Sequence, residues 1–304
     1  MIGINPTVDF ACKSIIGSPD HPAITLHFLN AILRGDPIIR DVEILNPIVE
    51  REFEEDKLSI LDVLASDSQG RRFNVEIQRT VPAGLSQRLT YYGATQLTEQ
   101  LGEGDSYVDL RPAIGICILD AVLFRQVADL HLDFRLLNQK NGLLFTDCLQ
   151  IHVLQLPKYM PPTDNQVITD PIEQWAFFFR RASELTPKQL TARLPGPVFR
   201  QATGILEMIA RDPHQRSLYN RRLKMEMDER ARLQAALAEG LAAGEAKGLA
   251  AGEAKGTVIG RIQLLQSLMG IAETPAENLR EQTLTQLAEL NNELQRLFQG
   301  RGRE

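Results

Sequence analysis

The stretch LSILDVLASDSQGRRFNVEIQ, residues 58–78, limits the fold more than any other part of the chain. Two runs rich in apolar and branched residues flank the polar segment DSQG, in which Gly70 stands where tight turns favour glycine. The pattern predicts a β-hairpin centred on Gln69. Each run also contains one acid, Asp62 or Glu76, among residues that would otherwise face a core.

A turn centred on Gln69 fixes the pairing of the two strands. The expected cross-strand pairs are Ile60 with Gln78, Asp62 with Glu76, Leu64 with Asn74, and Ser66 with Arg72. Because side chains alternate along a strand, Gln78 shares the face of the two acids. The opposite face is apolar and can pack against a helix; it carries Val63, Val75 and Ile77.

Two facing acids require a compensating partner. Directly opposed residues have Cβ atoms roughly 4.5–5.5 Å apart, and like charges at that separation destabilise a sheet. Either one carboxyl group binds a proton or a cation lies between the two. Carboxylate and carbonyl oxygens suit Mg²⁺, which can offset charge on a phosphodiester and lower the pKa of an attacking water. The spacing leaves open a solvent-facing edge hairpin that merely carries charges.

The segments around the hairpin alternate between two periodicities. Helical spacing is predicted for 7–16, 23–33 and 86–101, whereas continuous apolar runs in 111–124 and 143–157 are typical of strands buried on both faces. This order predicts an α/β or α+β domain that ends near residue 157. Only helices are expected from residue 170 onward.

Two features mark the C-terminal part. A helix predicted from about 212 to 237 is rich in Arg and Lys, which suits either phosphate contacts or a solvated helix face. Three eight-residue units follow in 239–262, with glycine at every fourth position from Gly240 to Gly260. Each glycine costs about 0.8–1.0 kcal/mol of helix propensity relative to alanine. The repeat therefore predicts either close packing on a partner helix or a tether, and the final amphipathic segment favours oligomerisation.

Bulk composition excludes some classes of protein. The chain has 304 residues, 43% hydrophobic, and a formal net charge of −6, which argues weakly against a protein coated in nucleic acid. Three widely spaced cysteines suggest free thiols in a reducing compartment. The sequence shows no signal peptide and no apolar run of the roughly 18 residues that a bilayer span requires. We therefore expect a soluble cytoplasmic protein that does not associate with a membrane.

Several stretches together resemble a known family. SILDVLASDSQGRRFNVEIQ closely resembles the nuclease core of the PD-(D/E)xK superfamily, and more narrowly that of the recombination-promoting nuclease and putative transposase family. TVDFACKSIIG, RLTYYGATQLTEQLGEGDSYVDLRPAIGICILD and DERARLQAALAEGLAAGEAKG are similar to further stretches of that family. The resemblance covers residues 1–160 well and the tail loosely.

The resemblance implies a fold and a division of the chain. The fold is α/β, with a restriction-endonuclease-like core in which helices flank a mixed sheet, followed by an all-helical C-terminal region. The implied division is a nuclease-like domain at 1–160, a helical region at 161–238, and the Gly-repeat helix with its helical tail at 239–304.

The resemblance also implies roles for individual residues. Asp62 and Glu76 match the metal-binding acids, the backbone carbonyl of Ile77 completes the metal shell, and Gln78 stands where many superfamily members have Lys. A Lys stabilises negative charge, whereas Gln only orients groups by hydrogen bonds. Asp9 resembles the acid on the first helix, although Asp9 and Lys13 also form an ordinary i,i+4 pair. From their positions after the hairpin, and not from the resemblance, the candidate substrate-binding residues are Arg79, Arg88 and Tyr92, with core packing as the alternative for the tyrosine.

The expected function is that of a Mg²⁺-dependent DNA endonuclease, with Mn²⁺ as a possible substitute and low sequence specificity. DNA is the expected partner, and the C-terminal helices are expected to form a homo-oligomer. A catalytically weak or inactive relative that acts as an oligomeric scaffold is the main alternative, because Gln78 replaces Lys. A transposase that also joins strands is a third possibility that the sequence does not distinguish.

Overall fold

The structure, a computed structural model, describes residues 1–34, 38–45, 63–162 and 166–301. The first half of the described chain contains α1 (Asp9–Ile16), α2 (Pro22–Ile32), β1 (Glu43–Ile44), β2 (Val63–Ser66), β3 (Arg72–Gln78), α3 (Leu85–Thr98), β4 (Ala113–Leu119), β5 (His131–Leu137) and β6 (Leu144–Gln155). The second half contains α4 (Pro171–Arg181), α5 (Pro187–Arg193), α6 (Pro197–Arg211), α7 (Pro213–Leu268), α8 (Ala276–Arg280) and α9 (Leu284–Arg301). Short 3₁₀ turns lie at Tyr107–Asp109 and Leu156–Lys158.

The described strands form one mixed sheet in the order β1-β2-β3-β4-β6-β5. The central strands β3, β4 and β6 are parallel, while the β1–β2, β2–β3 and β5–β6 pairs are antiparallel. Helices flank this sheet, and each regular element that the structure describes after it is a helix. This architecture confirms the predicted α/β fold with a mixed sheet and an all-helical C-terminal region.

Strand β5 was not expected from the sequence. Its segment, HLDFRLL, is interrupted by Asp133 and Arg135, and most of its side chains are exposed or half-buried. It lies at the edge of the sheet and pairs with β6, where Asp133 lies opposite His152. A continuous apolar run identifies strands buried on both faces, so it misses an edge strand of this kind.

The main core lies between one face of the sheet and the helices α1, α2, α4 and α6. Trp175 is fully buried there, and its ring contacts Phe28, Phe178 and Phe199 at centroid separations of 4.9–5.8 Å. Aromatic rings of this size bury more apolar area than aliphatic side chains do. These rings come from α2, α4 and α6, so helices that precede and helices that follow the sheet in sequence build this core together.

Helix α3 covers the other face of the sheet. Leu85 and Leu89 pack against Cys117, Leu119 and Val153 in a smaller core. At Gly93 a Cβ atom would lie 2.5 Å from Leu149 Cδ1, so the glycine permits α3 to lie close to β6. Glu76, the central residue of the predicted site, is on this α3 side.

The chain forms two compact units, Met1–Met225 and Glu226–Glu304. The second unit has its own small core, in which Ile259 and Ile262 of α7 pack with Leu279, Leu287 and Leu294. Helix α7 spans 56 residues and includes the whole glycine repeat, so the helix is longer than the predicted segment that ended at residue 237. The predicted boundaries at 160/161 and 238/239 stay predictions.

Among the helices that the structure describes, none combines enough length with enough apolar character to cross a bilayer.

Candidate functional site

The hairpin has the predicted register in its described part. Leu64 lies opposite Asn74 and Ser66 opposite Arg72. Gly70 has φ of +78°, in the left-handed region that favours glycine. Ile60 and Asp62 lie outside the described residues, so their predicted pairs with Gln78 and Glu76 remain predictions.

The turn is held together by Asp67. One carboxylate oxygen of Asp67 accepts hydrogen bonds from the backbone N–H groups of Gln69, at 3.0 Å, and Arg71, at 2.9 Å. Its other oxygen accepts from Arg71 Nε at 2.6 Å. Both side chains are buried, so this charged pair stabilises the turn and fixes the start of β3.

Strand β3 is an interior strand. It is paired with β2 on one side and with β4 on the other, where Glu76 lies opposite Cys117. Glu76 is only 4% exposed. These facts exclude the alternative of an edge hairpin with solvated charges, at least for the β3 half of the site, because a buried carboxylate on an interior strand needs a specific partner.

Glu76 finds two such partners among the predicted residues. Its Oε1 accepts a hydrogen bond from Gln78 Nε2 at 2.7 Å and is ion-paired with Nη2 of Arg88. Arg88 lies in the first turn of α3, which follows β3 after a short loop. The structure thus brings Glu76, Gln78 and Arg88 together, and the positive charge of Arg88 offsets the cost of burying the carboxylate.

The carboxyl end of β3 also meets the start of α1. The carbonyl of Gln78 accepts from the N–H of Asp120, at 2.8 Å, and Asp120 Oδ2 accepts from Thr7 Oγ1 at 3.5 Å. Asp9, half-buried, is the first residue of α1 and follows Thr7 by two positions. The predicted first-helix acid is therefore carried by a helix that begins at this edge of the sheet, where α/β proteins bind ligands.

Backbone geometry separates the carbonyls of Ile77 and Gln78. The Gln78 carbonyl points towards β4, because it accepts from the residue that follows β4. Successive carbonyls of a strand point in opposite directions, so that of Ile77 points towards the β2 side.

The other predicted substrate-binding residues lie around this cluster. Arg79 directly follows β3 and is half-buried. Tyr92 is half-buried one helical turn after Arg88, whereas its neighbour Tyr91 is 68% exposed. Both positions leave part of the side chain accessible to a ligand.

Sequence reasoning missed three polar residues of this region. Asp120 follows the apolar run of β4, and Asn74 precedes Glu76 by two positions on the same face of β3. Asn74 and Gln96 of α3 are buried, at 4% and 9% exposure, and the oxygens Asn74 Oδ1 and Gln96 Oε1 accept no hydrogen bond from the described residues. The alternation of Asn74, Glu76 and Gln78 along β3 is the signal that could have identified Asn74.

The available donor atoms suit a hard cation. The carboxylate of Glu76, the amide oxygen of Gln78 and the carbonyl of Ile77 are oxygen ligands of the kind that Mg²⁺ accepts. Within the described residues, no group of three or more His, Cys, Asp or Glu side chains could hold a metal ion. A metal site at Glu76 therefore requires a further ligand, and Asp62 belongs to the undescribed segment.

Comparison with known proteins gives a family match that covers most of the chain. The family described as PD-(D/E)XK nuclease family transposase matches residues 6–236, which is more than half of the chain. No curated protein and no solved structure matches the chain. The matched range includes the sheet, the Glu76–Gln78–Arg88 cluster and the beginning of α7. On this match, the chain belongs to the PD-(D/E)XK nuclease family of transposases.

Proposed function

We propose that this protein is a Mg²⁺-dependent DNA endonuclease that hydrolyses phosphodiester bonds with low sequence specificity. The family supports a nuclease-like function. The observation that carries the proposal is the buried carboxylate of Glu76, on an interior strand, with Gln78 and Arg88 directed at the same oxygen. A carboxylate, an amide and a guanidinium at one strand end can serve metal binding, water positioning and phosphate binding, respectively.

The proposed metal ligands are Asp62, Glu76 and the carbonyl of Ile77, with Mn²⁺ able to replace Mg²⁺. When bound, the ion would supply positive charge at the scissile phosphate and a more acidic water. Gln78 holds and orients that water through its amide. Asp9 would add a second carboxylate from the start of α1.

Arg88 has a double role in this proposal. Its side chain is 35% exposed, whereas that of Glu76 is 5% exposed, so part of the Arg88 side chain is accessible to a ligand. A cation at Glu76 removes the need for the ion pair, and Arg88 is then available to a phosphate oxygen. Divalent metal and Arg88 therefore compete for Glu76.

DNA contacts beyond the scissile phosphate would come from basic residues and one ring. Arg79 and Tyr92 flank the cluster, and the first part of α7 carries the exposed residues Arg216, Arg221, Lys224, Arg230 and Arg232, whereas Arg222 is buried. Contacts to phosphates carry no sequence information and weaken with salt. Low specificity and a steep salt dependence are the expected result. Such activity fits a cytoplasmic protein.

The direct test is nicking of a supercoiled plasmid with Mg²⁺. We expect the wild type to nick, and Asp62→Asn and Glu76→Gln each to lower the rate at least about 100-fold, because removing one ligand or stabilising group from a metal-assisted step costs several kcal/mol. Glu99→Gln is the matched control, since Glu99 is exposed and lies 4.0 Å from Arg72 at the far end of α3. Equal nicking by all four proteins, or none by a folded wild type that binds metal, would exclude the nuclease proposal.

The Glu76–Arg88 pair also gives a reason to test the alternative of an inactive scaffold. If the Arg88 guanidinium stays paired with Glu76, it neutralises that carboxylate and leaves no charge for a metal ion to bind. The amide of Gln78 also cannot supply the positive charge that a Lys would. Isothermal titration with Mg²⁺ and Mn²⁺ separates the two functions. Binding that Glu76→Gln abolishes supports the nuclease, whereas no carboxylate-dependent binding supports the scaffold.

A further inference from the structure

The outer edge of strand β5 carries backbone groups that point away from the sheet. At one end of β5 the Leu130 carbonyl accepts from the N–H of Gln155 at 2.7 Å, and at the other the N–H of Asn138 donates to the Leu143 carbonyl at 2.8 Å. Because the direction alternates along a strand, even-numbered residues of β5 point these groups at β6 and odd-numbered residues point theirs outward. In the described part of the chain, no hydrogen bond beyond the β5–β6 ladder reaches the backbone of β5.

Strand β5 is also long and continuous for an edge strand. Arg135 and Leu136 are neighbours on β5, whereas their partners Gln150 and Thr146 are four residues apart on β6. The additional residues therefore lie in β6, and β5 remains a strand of seven residues. Strand β1, at the other edge of the described sheet, has two. A long edge with outward N–H and C=O groups is a template on which another strand can pair.

The side chains of β5 separate into an apolar face and a charged face. Phe134 and Leu136 are 40% and 46% exposed, and Leu132 shares their face because side chains alternate along a strand. On the opposite face, Asp133 Oδ1 accepts a hydrogen bond from Arg135 Nε at 2.7 Å. Both faces therefore leave part of the edge open to a neighbouring strand.

This arrangement is complementary to itself when a second copy of β5 lies antiparallel with Phe134 opposite Phe134. Asp133 of each copy then lies opposite Arg135 of the other, and Leu132 lies opposite Leu136. The opposed residues of an antiparallel pair share a face, so the two charge pairs and the apolar pairs form on opposite sides of the joined sheet. The charge pairs join odd-numbered residues, whose outward backbone groups supply the ladder.

The charges disfavour the neighbouring registers. A slip of one residue would oppose an odd-numbered residue to an even-numbered one, whose N–H and C=O groups already point at β6. A slip of two residues places Asp133 opposite Asp133 in one direction and Arg135 opposite Arg135 in the other. Like charges directly opposite each other destabilise a strand pair, so the register centred on Phe134 is favoured.

We propose that the outer edge of β5 is a dimerisation surface for a second copy of this chain, with the two strands antiparallel and centred on Phe134. The two sheets then continue into each other across a twofold axis. The occupant is argued from charge complementarity and from the outward backbone groups. Strands β4 and β6 separate β5 from β3, so this proposal does not rest on the nuclease activity.

Charge reversal with mixing tests the pairing. Asp133→Arg and Arg135→Asp each place like charges opposite each other twice in a homodimer. An equimolar mixture of the two variants restores opposite charges in the heterodimer. In sedimentation velocity on the full chain, we expect each variant alone to dimerise at least about tenfold more weakly than the wild type, and the mixture to recover to within about threefold.

The mixture separates the interface from effects inside one chain, because each variant also loses its own contact between Asp133 and Arg135. Glu184→Arg is the matched control: it breaks an exposed ion pair with Arg181 on α4, changes the net charge as Asp133→Arg does, and should dimerise normally. A monomeric wild type, or a mixture that does not recover, would overturn the proposal. So would variants that dimerise as well as the wild type, since association would then use another surface, such as the C-terminal helices.

Amide hydrogen exchange reports the backbone edge directly. The N–H groups of Asp133 and Arg135 point outward, whereas those of Leu132 and Phe134 point at β6. Raising the protein concentration should slow exchange at the two outward groups at least about tenfold and change the inward groups less. Exchange at Asp133 and Arg135 that does not depend on concentration would contradict strand pairing.

Disulfide formation reports the register. Phe134→Cys should crosslink two chains under mild oxidation, because Cα atoms of such opposed residues lie about 4.5 Å apart, within the range that a disulfide spans. Leu136→Cys, at a similarly exposed position, should not, since its two copies are offset by about 13 Å along the strands. The wild type controls for Cys12, Cys117 and Cys148. Crosslinking at both engineered positions, or at neither, would overturn the proposed register.

Discussion

Arg88 of α3 is ion-paired with Glu76 of β3, and the same Glu76 oxygen accepts a hydrogen bond from Gln78. The pair joins a nearly buried acid on an interior strand to a half-exposed base on the helix that covers it. Glu76 is also the acid proposed to bind metal. The ion pair therefore connects the stability of the fold to the proposed chemistry.

The first prediction concerns this ion pair without metal. Arg88→Met should lower the free energy of unfolding by about 1–2 kcal/mol, less than the 3–5 kcal/mol typical of a fully buried pair, because Arg88 is 35% exposed. The double variant with Glu76→Gln should lose less than the sum of the two single changes. Urea denaturation in EDTA measures all three variants. Strict additivity would show that the two side chains are not coupled.

The second prediction concerns competition between metal and Arg88. Because Arg88→Met leaves Glu76 without its cation, Mg²⁺ should raise the melting temperature of this variant more than that of the wild type. Arg211→Met, which breaks an exposed ion pair with Glu207 on α6, is the matched control and should respond to Mg²⁺ like the wild type. Thermal scans with and without 10-fold excess Mg²⁺ over the dissociation constant provide the measurement. Identical Mg²⁺ responses in all three proteins would argue against an ion at Glu76.

The third prediction concerns pH. Burial lowers the pKa of His152 to about 4, and it also lowers the pKa of His27 and His131. His152 Nδ1 lies 3.1 Å from His131 Nε2, and His27 Nδ1 accepts from Trp175 Nε1, so His27 makes that bond only with Nδ1 unprotonated.

The sign follows from the lowered pKa values. Between the ordinary pKa of 6.5 and about 4, the unfolded chain binds protons that the folded chain does not. The free energy of unfolding should therefore reach its full value above about pH 7 and fall on acidification. The lowered pKa of His152 should account for a loss on the order of 1–3 kcal/mol. Denaturation at pH 7.5 and 4.5 should show a smaller difference for His152→Gln than for the wild type or for the exposed control His214→Gln. An unchanged difference in His152→Gln would refute this assignment.

The fourth prediction concerns the junction of α1 with the hairpin. A Cβ atom at Gly17 would lie 2.9 Å from both the Lys13 carbonyl oxygen and Val63 Cγ2, so the backbone itself must shift. Gly17→Ala should cost about 1–3 kcal/mol of stability. Because Val63 starts β2, the nicking rate should fall as well. Gly204→Ala on α6, where a Cβ meets nothing within 4 Å, should be neutral or stabilising by up to about 1 kcal/mol. Chemical denaturation of both variants decides the comparison.

Much of the first unit could be predicted because its signals are local. The turn residues and the alternation of 63–66 and 72–78 specify the hairpin register, and the apolar run at 113–119 identifies a strand buried on both faces. Helical spacing likewise located α1, α2 and α3. The sequence pattern did not predict strand β5, because this exposed edge strand carries charged residues among its apolar ones.

The candidate site was only partly predictable for the same reason. Glu76 and Gln78 follow from the alternation of one strand, and the i, i+2 spacing places them in contact. The sequence does not specify the contact of Arg88 with Glu76, because that contact depends on how close α3 lies to the sheet, which Gly93 permits. Asp120 and Thr7 meet across a separation that no local pattern encodes.

The sequence by itself determined the hairpin, the register of its described part and the acid on β3, because each depends on neighbours a few residues away. Tertiary structure decided that β3 is interior, that Glu76 is buried, and that its charge is offset by Arg88. Those outcomes depend on the order of strands in the sheet and on the packing of α3, which are set by burial of apolar area across the whole unit and not by any short segment.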